Sequence, residues 1–212
     1  MTRAALHHPQ SGRAFLMIVI ALAAIASGIV VSSKLFDRSQ ELRAAQAFPE
    51  ARPLPEFELE TASGEPLTRA DLEGNWSLLF FGFTNCPDIC PDTLAVLDAV
   101  MGDLDRMGRE HKPQVVFVSV DPERDAGEAL SEYVAWFNPD FIGATGSPDA
   151  LESFTRQLGV VYYLGEPGED GYYSVDHSAS VMIVDPQGRL YGRFAPPFER
   201  QAIAADLFAL GR

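Results

Sequence analysis

Cysteine is nearly absent from this chain: 212 residues hold two, Cys86 and Cys90. A scaffold stapled by several disulfides is therefore excluded, and a chain of this length can bury enough core to fold without one. A bridge between the pair would close a very short loop and remove little unfolded-state entropy, so a structural staple has little to offer. Basic residues are scarce as well, 16 against 30 acidic, for a formal net charge of −14. Three of those bases and none of the acids fall within residues 1–34, which leaves −17 on the remainder. Nucleic acid is thereby excluded as a partner. The acidity suits solubility, or alternatively docking to a basic partner or attraction of cations. Internal repeats and low-complexity tracts are also missing.

What is present begins with an apolar run. Residues 14–31, "AFLMIVIALAAIASGIVV", are uncharged and bracketed by Arg13 and Lys34, the length of a single membrane-spanning helix. A cleaved signal peptide is the competing reading, since "AIA" at 24–26 resembles a cleavage site, but the run continues through Val31. Arg3 and Arg13 precede the span without an acid, which keeps the N-terminus in the cytoplasm and places the rest outside, in an oxidising compartment. The expected organisation is a cytoplasmic tail (1–13), an anchor (14–31), a polar tether (32–52) and a globular domain (53–212). The chain from about residue 35 onward, made without the anchor, is expected to be a soluble monomer.

Within the domain, strand and helix signals alternate. Phe57 and Leu59 alternate with acids as a half-exposed strand, and "WSLLFFGF", residues 76–83, is a run buried on both faces. Leu94, Leu97, Met101 and Leu104, with Met107 as a further candidate, recur at helical spacing. "QVVFVSV" (114–120) is a second buried strand, followed by a helix with Leu130, Val134 and Phe137 on one face that stops at Asn138 and Pro139. "FIGAT" is a short strand. Ser147 then caps a helix with Pro148 in its first turn, Leu151, Phe154 and Leu158 inward, and Gly159 at its end. "GEPGEDG" (165–171) separates "VVYYL" from "YYSV". "SVMIV" and "RLYGRF" flank "DPQG" as a hairpin, and residues 198–210 form a last helix. Two buried strands joined through a helix imply a right-handed parallel crossover, and the hairpin adds antiparallel strands. The fold class is α/β, a mixed sheet covered by helices, with ligands gathering at the carboxyl ends of the strands.

The cysteine loop lies at such an end. Pro91 cannot donate the hydrogen bond that a helix running from Cys86 would need, so the helix is kinked or starts in earnest at Pro91, with both thiols in its first turn. The positive end of the helix favours thiolates, which attack disulfides and bind soft metals. The spacing puts both sulfurs on one side, within reach of a disulfide or of shared coordination. Asp88 and Asp92 are expected to be solvated. Thiolates select Cu(I) or zinc, and two sulfurs alone leave Cu(I) open to a third ligand. His7 and His8 precede the membrane span, and His111 sits in a loop at the far end of the next strand. His177, in "VDHSAS", opens the strand "SVMIV" where a loop can face the cysteines; on its own it reads more readily as a structural histidine, and elimination of the other three raises it as the ligand. Asp176 beside it is expected to point away as a loop group.

At this point the chain resembles the Sco/SenC family. "FGFTNCPDICPDTL" is similar to that family's signature, and "SVDPERD" and "VDHSASVMIVDPQGRLYGRF" to its two further blocks, in the same order behind a single anchor. Asn85 stands where the family often has histidine, which removes no ligand. The resemblance implies a thioredoxin-like fold on the outer face of a bacterial inner membrane, hence a periplasmic domain, or of the mitochondrial inner membrane. It implies one copper ion, Cu(I) or Cu(II), held by Cys86, Cys90 and His177. It further implies a metallochaperone that assists assembly of the dinuclear copper centre on the copper-bearing subunit of cytochrome c oxidase. A redox thioredoxin would have C-x-x-C and a proline near the position of His177, and a peroxiredoxin a single peroxidatic cysteine with its arginine. The alternative function is a membrane-tethered thiol-disulfide reductase using Cys86 and Cys90 as its redox pair. Both functions call for an external reductant, and the first for a copper donor.

Overall fold

The computed structural model describes residues 15–28 except 23 and 26, residues 42–166, residue 168 and residues 173–211. The chain divides into two units, Met1–Glu41 and Leu42–Arg212. In the first, the described residues are helical and expose apolar side chains such as Phe15, Ile18 and Leu22. Among the described residues no helix is long and apolar enough to cross a membrane. The span expected over 14–31 falls partly outside them, as do His7 and His8.

The second unit is built on an eight-stranded mixed sheet whose strands, in spatial order, are β1 (Ala45–Pro53), β10 (Arg189–Phe194), β9 (Val181–Val184), β4 (Ser77–Gly82), β5 (Gln114–Ser119), β6 (Ile142–Thr145), β2 (Glu58–Thr61) and β3 (Pro66–Thr68). At its centre the run of large apolar residues becomes β4, Ser77–Gly82, with all six residues buried. It pairs in parallel with β5, Gln114–Ser119, and β5 pairs in parallel with β6, Ile142–Thr145. On the other side β9, Val181–Val184, and β10, Arg189–Phe194, form the expected antiparallel hairpin. β2, Glu58–Thr61, and β3, Pro66–Thr68, close the far edge.

The helices follow the apolar periodicity. α1, Ile89–Arg106, buries Leu94, Leu97, Met101 and Leu104, but it ends before Met107, which is exposed. α2, Gly127–Phe137, buries Leu130 and Val134. α3, Pro148–Leu158, is capped as its sequence dictates: Ser147 Oγ accepts from the Ala150 amide at 3.3 Å, and Gly159 takes the left-handed conformation at φ 72° that terminates it. α4, Arg200–Leu210, packs against α1.

One segment departs from expectation. The stretch assigned to the tether up to residue 52 supplies β1, Ala45–Pro53, an edge strand paired with β10. Its few large apolar residues give no strand signal. What holds its start is the buried carboxylate of Asp206 on α4, which accepts the amides of Arg43, Ala44 and Ala45 at 2.7 to 2.9 Å. That is a long-range contact no local pattern encodes.

A second, two-stranded sheet stands apart from the first: β7, Tyr162–Leu164, with β8, Val175–His177, antiparallel. His177 ends β8 instead of opening β9. A residue that ends one strand four positions before the next begins is free to face a site that neither strand alone would reach.

Candidate metal centre

The site is assembled at the carboxyl end of β4. Gly82 closes that strand where no side chain fits: a Cβ there would stand 2.5 Å from Cys90 Sγ and 2.8 Å from the Phe117 ring. The chain then turns through residues 83–88, with the Cys86 amide donating to the Phe83 carbonyl at 3.3 Å. The turn is tied down from the β5 side. Asp125, fully buried, accepts the Thr84 amide at 2.6 Å, the Thr84 hydroxyl at 2.5 Å and the Ser119 hydroxyl at 2.7 Å.

α1 begins at Ile89, so only Cys90 lies in its first turn, and Cys86 precedes the helix in the turn. The expectation of both thiols within that first turn is corrected here. Pro91 sits where its missing N–H is not required, and the first helical bond observed runs from the Asp92 amide to the Asp88 carbonyl at 3.1 Å. Cys90 is buried, Cys86 is half-buried, and both are free thiols. Asp88 and Asp92 are exposed, as expected of solvated groups.

β8 brings His177 to the same place. Its Nε2 lies 3.2 Å from Cys90 Sγ, and the ligating atoms of Cys86, Cys90 and His177 all fall within 4.8 Å of one another. On the far side of the ring Nδ1 faces the Ser178 carbonyl at 3.3 Å. A carbonyl can only accept, so Nδ1 carries the proton and Nε2 presents its lone pair to the sulfurs. Phe80 and Phe83 meet the imidazole edge-on, with centroids 6.1 and 6.0 Å away. Asp176 is exposed and supplies no atom to the cluster, in line with its reading as a loop group.

Burial governs the protonation states. It pushes the Cys90 thiol well above its ordinary value, and the neighbouring Cys86 adds to the effect. The expected thiolate bias at the helix start is thus reversed for Cys90: loss of hydration outweighs the dipole. Burial also lowers His177, against smaller opposing effects from the Ser178 carbonyl and Asp176. At neutral pH the site therefore offers a neutral imidazole, ready to coordinate, and a Cys90 thiol whose proton a metal must displace.

Two sulfurs and one imidazole are a donor set for a soft ion such as Cu(I) or zinc, with no carboxylate to favour a hard one. A shallow cleft of about 310 Å³ opens directly onto it, lined by Phe83, Cys86, Ile89, Val175 and His177 among others. A larger cavity of about 850 Å³, around Trp76, Arg109 and His111, lies at the opposite end of β4. His111 is exposed there, as its sequence position indicates. Among the described residues Cys86, Cys90 and His177 form the one group able to hold a metal. Sequence reasoning reached all three, but it assigned no role to Gly82 or Asp125. A glycine ending an apolar strand and an acid following "DPER" were the available signals.

Comparison with known proteins agrees with this geometry. A Stutzerimonas stutzeri protein, named as a candidate copper-binding protein, is 35% identical over 184 residues, covering 86% of this chain and 87% of its own length. The human mitochondrial protein SCO1 homolog is 36% identical over 151 residues, 71% of this chain. The chain spans only 50% of that protein's length, and about half of the other mitochondrial relatives it matches. Among solved structures, copper-bound ScoI from Arabidopsis thaliana superposes with a TM-score of 0.69 at 35% identity, covering 74% of this chain and 96% of that one. Apo Sco1 from Thermus thermophilus gives 0.71 at 36%, covering 81% and 99%. The mixed sheet is thus of the thioredoxin-like kind expected. Residues 46–211 match the pattern that defines SCO1/SenC proteins, from the start of β1 to the end of α4, and the chain belongs to the SCO1/SenC family.

Proposed function

We propose that this protein binds one copper ion through Cys86, Cys90 and His177 and supplies it during assembly of the dinuclear copper centre of cytochrome c oxidase. The observation that carries this reading is the convergence of three soft or borderline donors within 4.8 Å, with the imidazole already neutral and turned by its Ser178 contact. Copper-bound Arabidopsis ScoI and the human SCO1 homolog support it as relatives. Copper is cargo here, taken from a donor and passed to the oxidase subunit that bears the centre. Cys86 sits on the cleft and is the more accessible sulfur, so an acceptor's ligand would meet it first.

A second reading is favoured by the same pair of thiols. A half-buried Cys86 beside a buried Cys90 suits a thiol-disulfide reductase in which Cys86 attacks a partner disulfide and Cys90 resolves the mixed disulfide. The test is oxidase assembly in cells carrying single variants. If His177→Ala assembles a normal oxidase while Cys86→Ser does not, thiol reduction is the function; if both fail, copper delivery is.

The same proposal places residues 14–31 as a single-pass anchor in a bacterial inner membrane, with residues 1–13 cytoplasmic and a monomeric periplasmic domain tethered to it. The exposed apolar helical residues between 15 and 28 support it. The anchor raises effective concentration near a membrane-bound oxidase. Extraction of the full chain by alkaline carbonate without detergent would sink this topology.

A further inference from the structure

His177 reaches the cysteines from a hairpin, β7–β8, that is not paired with the main sheet. Such an arm needs fastening if its last residue is to stay 3.2 Å from Cys90 Sγ. The fastening is visible four residues upstream. The Tyr173 hydroxyl donates to the Asp121 carboxylate at 2.6 Å, and Asp121, fully buried after β5, is also paired with the guanidinium of Arg124. Arg124 Nη1 donates to the Tyr173 carbonyl at 3.2 Å, and its guanidinium stacks over the Tyr173 ring at 3.8 Å. Arg124 also stands 5.8 Å from the Phe83 ring, the wall that meets His177 edge-on.

We infer that Asp121, Arg124 and Tyr173 form a clamp that positions His177 for metal, joining the hairpin to the loop after β5 and to the aromatic wall of the site. The inference rests on the ligand set proposed above and adds three positioning residues that touch no metal atom themselves. Arg124 is suited to the task because a planar fork can bond a carboxylate and a carbonyl while stacking on a ring, which lysine cannot do. Burial, together with the hydrogen bond to Asp121, pushes the Tyr173 phenol up to about 12, so it donates throughout the physiological range. The clamp acts on one ligand of three. Loosening it should cost affinity through His177 and leave the two sulfurs, and their disulfide chemistry, as they were.

The test is a double-mutant cycle on the reduced full-length protein, with Cu(I) affinity read by competition against a chromogenic chelator. Tyr173→Phe keeps the ring and removes the hydroxyl, and Arg124→Lys keeps the charge and removes the fork. Each should weaken Cu(I) about tenfold or more, the scale of changes one step removed from a metal ligand. In a His177→Ala background the same changes should have less than about a twofold effect, because the ligand they position is gone. In the Cu(II)-loaded protein, each should broaden or reduce the nitrogen coupling in the electron paramagnetic resonance spectrum while the thermal midpoint of the apo protein moves by a few degrees at most. Equal losses in both backgrounds, or no loss in the parent, would overturn the clamp while leaving the ligand set intact. A His177→Ala variant that binds copper as tightly as the parent would instead overturn the ligand set, and the clamp with it.

Discussion

Cys90 Sγ and His177 Nε2 stand 3.2 Å apart although 87 residues separate them along the chain. Neither residue sets that distance. Cys90 is fixed by α1 docking behind Gly82, and His177 by a hairpin that runs outside the main sheet. The site is a meeting of two independently supported pieces, and its chemistry depends on both supports.

Replacing His177 tests the first consequence. His177→Ala should weaken Cu(I) by more than the ~10–100-fold seen when a group that only orients a ligand is changed, because a donor itself is lost. Cys86 and Cys90 should still form and break their disulfide in the variant. Chelator competition and a thiol-disulfide titration on the same sample check both halves.

Oxidation should switch the site off. A Cys86–Cys90 disulfide leaves no thiolate, so Cu(I) uptake should be stoichiometric in reduced protein and absent in oxidised protein. Parallel titrations decide it, and equal uptake by both forms would remove the cysteines from the site.

Gly82→Ala should damage the site from beneath. The added methyl would fall 2.5 Å from Cys90 Sγ and 2.8 Å from the Phe117 ring, so α1 or the ring must shift. Overpacking of this kind costs about 1–3 kcal/mol. Urea denaturation should show the loss in midpoint, and copper affinity should fall with it.

Asp125 is the corresponding support on the loop. Asp125→Ala strips the partners from the Thr84 amide, the Thr84 hydroxyl and the Ser119 hydroxyl at once. Leaving a buried neutral donor unsatisfied costs roughly 1–3 kcal/mol. The expected outcome is a clear drop in thermal midpoint, together with faster amide exchange over residues 83–88.

The pH dependence follows from two shifts of opposite sign. His177 is lowered on folding, so its contribution to apo stability is complete above its unfolded pKa of about 6.5 and is lost as pH falls toward the folded value. Cys90 is raised, so its contribution is complete below its unfolded pKa of about 8.5 and is lost as pH rises. Apo stability should peak between those limits. Chemical denaturation from pH 5 to 10 reads this directly, with His177→Ala removing the acid limb. Copper affinity should rise with pH through the neutral range in parent and variant alike, because the metal displaces thiol protons in both.

Much of this was legible in the residue order. The buried run of β4, the helical spacing of Leu94, Leu97, Met101 and Leu104, and the Ser147 and Gly159 caps are local patterns that local physics reads out. The two cysteines, and the histidine kept after the others were set aside, were equally plain. Other features were decided only by tertiary structure. β1 forms because Asp206, some 160 residues away, accepts its first amides. Helix α1 starts at Ile89, leaving Cys86 in the turn ahead of it. Cys90 holds its proton because packing removes water from it, a property of the folded interior that the helix start alone would have reversed. The sequence determined which donors exist and on which elements they ride. The distances between them, and the water excluded from around them, arise only when the separate elements pack together.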